Sequence, residues 1–185
     1  MPNVIPFAEP ISQPNVSPVP SLQSEAIPQG DRTGENQRNR EPKQCNPNDV
    51  IAWMSKFSTR DTDPNRADWA AYQYRVAGTQ EYNVIHNGRT VRADGIRPED
   101  CSFLEAKYVS NPNYSAYVPG TITGRDSYVL GVQSQTLNTI SKYSAIINDD
   151  TSPMVRLEII TNHEEARLFL LHMLGPTPGT VKVEE

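Results

Sequence analysis

The sequence is poor in the residue types and patterns that mark several common classes of protein. It has only two cysteines and three histidines, and none of them stands in the spacing of a zinc site. It has no run of about 18 apolar residues, so no membrane-spanning helix and no membrane partner are expected. The opening lacks the basic start and continuous apolar stretch of a secretory signal, so any export would need another route.

Two kinds of catalytic motif are also missing. The chain has no glycine-rich phosphate-binding loop and no Gly-x-Ser-x-Gly elbow, which argues against nucleotide hydrolysis by a P-loop and against serine-hydrolase chemistry. The net charge is −5, from 22 acidic and 17 basic residues, and this balance argues against nonspecific coating of nucleic acid. An enzyme with a local basic cleft is still compatible with it.

The two cysteines, Cys45 and Cys101, leave two states open. They could pair in an oxidising compartment, but two free thiols are the favoured prediction. Neither state by itself indicates a function.

Proline dominates the first part of the chain. It occurs at positions 2, 6, 10, 14, 18, 20 and 28, and the polar run DRTGENQRNREPKQ follows. Because proline at that density cannot sustain a helix or a central strand, and the polar run has little to bury, residues 1–44 are predicted to be extended or disordered. Residues 45–175 are predicted to form the folded domain, and residues 176–185 a frayed tail.

The stretch TDPNRADWAAYQYRVAG predicts the first helix of the domain. Asp63 can cap it, Pro64 suits the first helical position, and Gly78 suits the exit. Gln73 lies beside the apolar stripe of this helix, where a polar side chain usually has a partner.

A hairpin and a third strand follow this helix. Asn87-Gly88 between two strand-like runs is the strongest short signal for a two-residue turn. RPED makes a second turn and CSFLEAKYV a third strand, so three consecutive antiparallel strands are predicted. Side chains alternate faces along the third strand, which places Glu105 and Lys107 on the same face. Asp94 lies in the neighbouring strand and is predicted to meet both.

Three more elements complete the domain. VQSQTLNTISKYSAII is predicted to be a helix, and MVRLEIIT a strand with one buried face, since Arg156 and Glu158 alternate with apolar residues. NHEEARLFLLHMLGP is predicted to be the last helix, with Asn162 and Glu165 in capping-box spacing. The predicted order is helix, three-stranded antiparallel meander, helix, strand, helix.

An aspartate, a glutamate and a lysine that converge at one sheet edge suit metal-assisted hydrolysis of a phosphodiester bond. Carboxylate oxygens are hard ligands of the kind that Mg²⁺ prefers. The metal would neutralise charge on the phosphate, while the lysine would orient the attacking water or help to deprotonate it. The alternative is an ion pair on a solvated strand face, since Glu-x-Lys is a common pattern.

These residues and their order resemble the PD-(D/E)xK nuclease superfamily, whose core carries the aspartate on the second strand of a meander and Glu-x-Lys on the third. More closely, the chain resembles the restriction-endonuclease-fold toxin 5 family of polymorphic bacterial toxins. The matching elements are Tyr72-Gln73 with residues 76–78, then Asp94-Gly95, then residues 103–107. The resemblance implies a mixed α/β (α+β), restriction-endonuclease-like fold and a Mg²⁺-dependent endonuclease.

The same resemblance implies a role for each site residue. Asp94, Glu105 and the Ala106 carbonyl would hold Mg²⁺ (or Mn²⁺). Lys107 would position or activate the attacking water. Gln73 would point at the metal or its water, and the alternative for Gln73 is a structural hydrogen bond to the sheet.

Four further residues are candidates for contact with substrate: Gln133, Gln135, Arg92 and Tyr108. The two glutamines stand at the start of the second helix and could support the scissile phosphate. Arg92 could line a basic cleft, and Tyr108 could stack on a base. Ordinary surface or packing roles are the alternatives for all four.

The resemblance also implies partners and a place of action. Nucleic acid would be the substrate, with DNA favoured over RNA, and a cognate immunity protein would be a partner. The protein would be a secreted or delivered effector, without a cleavable signal peptide, acting in the cytoplasm of a target cell. Two hypotheses of other classes stay open: a noncatalytic nucleic-acid-binding or protein-binding module on the same fold, and an immunity or adaptor protein.

Overall fold

The computed structural model describes residues 43–120 and 126–185, and within them the chain forms four α-helices and seven β-strands. The helices are α1 (Pro47–Met54), α2 (Asp68–Ala77), α3 (Asp126–Ile147) and α4 (Glu164–Leu174). The strands are β1 (Ser58–Asp61), β2 (Gln80–His86), β3 (Arg89–Ala93), β4 (Gly95–Arg97), β5 (Ser102–Lys107), β6 (Arg156–Thr161) and β7 (Gly179–Val183). The prediction for the leader falls almost wholly on residues 1–42, which lie outside the described residues. None of the helices described is both long and apolar enough to span a bilayer.

The predicted meander is present, but its middle strand is divided. The turn at Asn87 and Gly88 has φ angles of 46° and 75°, which is the left-handed backbone of a two-residue hairpin turn. β2 pairs with β3 in antiparallel register, and after a break at Asp94 the chain continues as β4, which pairs with β5. The strands therefore belong to two sheets, of order β1-β2-β3 and β4-β5-β6-β7.

β6 is a central strand that is buried on both faces, so the prediction of one buried face is wrong. It lies between β5 and β7 and runs parallel to both. Leu157 and Ile159 pack in the main core, whereas Ile160 packs with Tyr72 of α2 in a second cluster. Because both faces of a parallel sheet are usually covered, even the charged Glu158 is only 2% exposed.

Two cations make the burial of Glu158 possible. Arg97 donates to Glu158 Oε1 at 3.0 Å, and the Lys182 ammonium lies 2.6 Å from Oε2. Burial by itself raises the pKa of the Glu158 carboxyl, but the hydrogen bonds from Arg97 and Lys182 outweigh it and the pKa is lowered. Since an unpaired buried charge is strongly destabilising, these two partners are what this position in β6 requires.

The end of the chain is a sheet strand, so the prediction of a frayed tail over residues 176–185 is wrong. β7 pairs with β6, with Val181 opposite Ile159, and Val181 is buried. The two backbones approach closely at Gly179, where an added Cβ would lie 2.1 Å from the Leu157 carbonyl oxygen. Only glycine fits there. A five-residue strand with one buried side chain leaves little periodic signal in the sequence.

Two helices begin elsewhere than the capping signals predicted. α2 begins at Asp68, and Asp63 instead accepts a hydrogen bond from a backbone N–H two residues later, in the preceding turn. At α4 the Asn162 side chain makes no cap and bridges to the backbone N–H and carbonyl of Val109, at 2.8 and 3.0 Å. The predicted exit at Gly78 is confirmed, with φ of 105°. Short polar side chains satisfy turns as readily as helix ends, which is why the start signal is ambiguous.

Cys45 and Cys101 form a disulfide bond, so the favoured prediction of two free thiols is wrong. The segment before α1 lies against the turn that leads into β5, and Cys101 is fully buried there. Lys43, close to the bond in sequence, donates to the carbonyls of Ile147, the last residue of α3, and of Asp149 and Ser152, which follow it. Tertiary contacts therefore bring the two cysteines together across a large sequence separation.

Opening the disulfide is expected to lower the free energy of unfolding by about 2–4 kcal/mol. The bond joins residues 56 positions apart and so restricts the unfolded chain. Urea unfolding of the wild type with and without reductant, beside the Cys45→Ser/Cys101→Ser double variant, measures the effect. Reductant should leave the double variant unchanged, and equal midpoints for oxidised and reduced wild type would contradict the prediction.

Candidate active site

Asp94, Glu105 and Lys107 meet where β3, β4 and β5 come together. Gly95 pairs with Leu104, and this antiparallel register places Asp94 beside Glu105. The Ala106 N–H donates to Asp94 Oδ2 at 2.8 Å, and Lys107 Nζ donates to Glu105 Oε1 at 2.5 Å. The convergence predicted from strand alternation is therefore what the structure shows.

The Asp-Gly pair has a steric basis. An added Cβ at Gly95 would lie 2.0 Å from the Ala77 carbonyl oxygen at the end of α2. Only glycine allows this approach, because any side chain would push α2 away from the sheet. The same contact brings the helix that carries Gln73 close to Asp94.

Tyr143 on α3 holds the far side of Glu105. Its hydroxyl donates to Glu105 Oε2 at 2.7 Å, and the side chain is fully buried. Both oxygens of the Glu105 carboxylate therefore accept hydrogen bonds, one from Lys107 and the other from Tyr143. The sequence interpretation missed Tyr143. A tyrosine on the buried face of a helix usually has a partner for its hydroxyl, and that signal was available.

The carboxyl of Asp94 is hard to ionise in this setting. Burial, then the negative charge of Glu105, raise its pKa to about 8, although Lys107 and the Ala106 N–H act in the opposite direction. Burial and the nearby Glu105 carboxylate therefore disfavour a negative charge on Asp94. A bound cation would favour the ionised form of this carboxyl.

Lys107 is held as a cation. Burial lowers the pKa of its ammonium group, but the nearby charges of Glu105, Tyr117 and Asp94 outweigh this effect and raise the pKa above its ordinary value. At neutral pH the group is therefore a hydrogen-bond donor with a positive charge. It is poorly suited to accept a proton from water while Glu105 remains paired with it.

Gln73 faces inward, as predicted, and it has a partner that the sequence interpretation missed. Its Nε2 donates to Glu81 Oε1 on β2 at 3.0 Å, and both side chains are buried. Tyr82 pairs with Ala93, so the register also places Glu81 beside Asp94. Three carboxylates thus lie in a row across neighbouring strands. The polar run QEYNVIH gives no sign that its glutamate is buried.

The floor of one cleft of about 590 Å³ is formed by Gln73, Glu81, Asp94, Glu105 and Lys107. Its size is within the usual range for ligand sites. Two of the four predicted substrate-contact residues, Arg92 and Gln135, line it. The other two lie elsewhere: Gln133 donates to the Ala116 carbonyl at 3.0 Å, and the Tyr108 ring packs against Tyr72, with centroids 5.5 Å apart. Further lining residues that the sequence interpretation did not single out for the site include Arg60, Arg66, Trp69, Glu81, Thr136 and Lys142.

The donor set fits a hard divalent cation. Within residues 43–120 and 126–185, no three His, Cys, Asp or Glu side chains are grouped closely enough to hold a metal by themselves. Mg²⁺ commonly uses one or two carboxylates and keeps several waters, so two acids suffice. Asp94 and Glu105 supply carboxylate oxygens, and no sulfur or imidazole group lines the described part of the cleft, so the donor set matches that preference.

The raised pKa of Asp94 predicts a specific pH dependence of stability in EDTA. Between pH 4 and about 8 the unfolded chain ionises Asp94 while the folded protein keeps the proton, so this group makes the folded state less stable as pH rises. The slope is at most about 1.4 kcal/mol per pH unit. Asp94→Asn lacks this effect, so its melting temperature minus that of the wild type should increase from pH 4 to pH 8. A constant difference would show that the carboxyl ionises normally.

A comparison with protein families agrees with the fold, whereas no curated protein matches the chain. A family model described as restriction endonuclease fold toxin 2 matches residues 68–176, which is more than half of the chain and includes Gln73, Asp94, Glu105 and Lys107. The predicted fold class and the resemblance to toxins of this fold are confirmed, with the family numbered 2 in place of 5. The chain belongs to the restriction endonuclease fold toxin 2 family.

Proposed function

We propose that this protein is a metal-dependent nuclease toxin that hydrolyses phosphodiester bonds, with DNA favoured over RNA. The observation that carries the proposal is the convergence of Asp94, Glu105 and Lys107 on the floor of one cleft, with Gln73 beside them. Membership of a toxin family with a restriction endonuclease fold supports the same activity. An ion pair with no other role would not need a neighbouring carboxyl whose ionisation is disfavoured.

Asp94, Glu105 and the Ala106 carbonyl are the groups proposed to hold Mg²⁺ or Mn²⁺. When bound, such an ion neutralises charge on the phosphate and lowers the pKa of a bound water. The Ala106 N–H keeps the Asp94 carboxylate oriented toward the site. The hydrogen bond from the Tyr143 hydroxyl keeps Glu105 in position.

Lys107 acts as a fixed cation in this proposal. Because the charges around it favour the protonated ammonium, it would donate a hydrogen bond to the attacking water or to a phosphoryl oxygen, and would stabilise negative charge that develops there. Gln73, oriented by Glu81, would support the same water. Of the two roles predicted for Lys107, positioning the attacking water is favoured over accepting a proton from it.

A toxin of this kind also needs a route and a safeguard. We propose that the protein is a delivered effector and that it acts in the cytoplasm of a target cell. Since a nuclease in the producing cell would damage that cell's own nucleic acid, a cognate immunity protein is the proposed partner.

Cleavage of supercoiled plasmid and of total RNA by the purified protein tests the activity and names the substrate. Loss of either substrate in Mg²⁺ or Mn²⁺, prevented by EDTA, is the expected result. If folded protein cuts neither substrate with either metal, the noncatalytic binding module becomes the better description of this chain.

A further inference from the structure

Two arginines line the wall of the cleft beside the carboxylates. Arg60 lies on β1 and Arg92 on β3, and both side chains are more than half exposed, at 56% and 63%. Arg60 stands directly opposite Glu81 in the pairing of β1 with β2. Arg92 reaches the same Glu81 diagonally from the other side, as long side chains can across a sheet.

The partner that these arginines share is buried. The Glu81 side chain is only 5% exposed, with Arg60 Nη2 at 2.9 Å and Arg92 Nε at 3.5 Å from its Oε2 atom. Among the described residues this oxygen accepts no hydrogen bond, and the ion pairs with the two guanidinium groups balance its charge. Exposed ion pairs are usually weak and mobile. Here a buried carboxylate makes separation costly and holds both arginines in place.

Both guanidinium groups keep donors for a ligand. Each carries five N–H donors in a planar fork, and the contacts with Glu81 involve one nitrogen of each. The fork matches the geometry of phosphate oxygens and binds them through two parallel hydrogen bonds. Two positive charges against one buried negative charge leave this wall of the cleft cationic, next to the floor that carries Asp94 and Glu105.

We infer that Arg60 and Arg92, anchored on Glu81, form a clamp for a backbone phosphate of nucleic acid that neighbours the cleavage position. This inference rests on the proposed function, because it names the part of the substrate that the wall of the cleft binds. On the cleft floor the Lys107 cation is already paired with Glu105, and the clamp gives the backbone phosphate a defined place to bind.

Salt dependence of binding in EDTA tests the clamp without cleavage. Fluorescence anisotropy would follow labelled duplex DNA, single-stranded DNA and RNA from 50 to 200 mM KCl. Each lost phosphate contact reduces the slope of log K against log salt by about 0.9 for a duplex or about 0.7 for a single strand. Arg60→Gln and Arg92→Gln should each show this change and weaker binding at 50 mM. Arg89→Gln is the matched control, because Arg89 is exposed on the same strand as Arg92 but does not line the cleft.

Glu81→Gln separates anchoring from simple charge. The variant removes a negative charge from the cleft, so charge alone would tighten binding, whereas release of the two arginines weakens it. Glutamine can still accept the hydrogen bond from Gln73. Weaker binding by Glu81→Gln, in protein whose melting curve shows that it is folded, supports the clamp, and tighter binding overturns it.

The outcomes also separate the clamp from the nuclease. If the wild type cleaves nucleic acid with metal but both arginine variants keep the wild-type slope, the clamp is wrong and the proposed function stands. If the wild type neither binds nor cleaves any of the three nucleic acids, both fail.

Discussion

Lys107→Met is expected to lower the rate of metal-dependent cleavage by about 10³-fold, the loss that follows removal of one fixed electrostatic group from a catalytic site. Lys107 is held against Glu105 at 2.5 Å, and its side chain is only 18% exposed. Its charge therefore acts in a setting that screens it weakly. Methionine keeps much of the length of the side chain and removes the charge and the hydrogen-bond donors.

The measurement is the initial rate of plasmid or RNA cleavage in Mg²⁺ at a saturating substrate concentration. Lys56→Met is the matched control, because Lys56 is exposed and lies outside the cleft. Lys107→Met leaves Glu105 with Tyr143 as its remaining partner among the described residues, so a melting curve must accompany the rates. A folded Lys107→Met protein that cleaves at the rate of the wild type would remove Lys107 from the chemistry.

Mg²⁺ or Mn²⁺ at 100 times its dissociation constant should stabilise the wild type by about 2.7 kcal/mol, since a ligand that binds only the folded state shifts the unfolding equilibrium. Asp94→Asn should lose most of this stabilisation together with cleavage. Asparagine can still accept the hydrogen bond from the Ala106 N–H, but it has no negative charge. The loss would therefore report the charge and not a collapsed turn.

Thermal melting with and without metal measures this effect in the absence of any substrate. Glu165→Gln is the control, because it removes one exposed carboxylate on α4, far along the chain from the site. The control should respond to metal as the wild type does. A full metal-induced shift in Asp94→Asn would mean that the ion binds elsewhere, even if cleavage is lost.

Local patterns were sufficient to predict the centre of the site. Alternation along β5 places Glu105 and Lys107 on one face, and the hairpin turn at Asn87 and Gly88 sets the direction of the strand that ends just before Asp94. Both signals act over a few residues, so one sequence contains them in full. The inward direction of Gln73 follows in the same way from the stripe of one helix.

The errors about β6, β7 and the disulfide concern partners that are distant in sequence. β6 is buried on both faces because α2 packs on its second face. β7 is a strand because the edge of β6 that faces away from β5 is available for pairing. The disulfide of Cys45 depends on where α1 lies against the turn before β5. None of these contacts leaves a periodic mark in the segment that it changes.

The amino-acid sequence by itself determined the order of the elements from α2 to α4, the hairpin and the charged trio on the strands of the meander, because alternation, turn geometry and helix period are local properties of the chain. The helix α1 and the strand β1, which precede the helix predicted to be first, were not predicted. Only the tertiary structure decided which groups surround that trio. Tyr143 reaches Glu105 from α3, and Glu81 lies between Gln73 and two arginines, because packing brings separate elements to one cleft. The protonation of the site residues and the positions of their side chains follow from those long-range contacts.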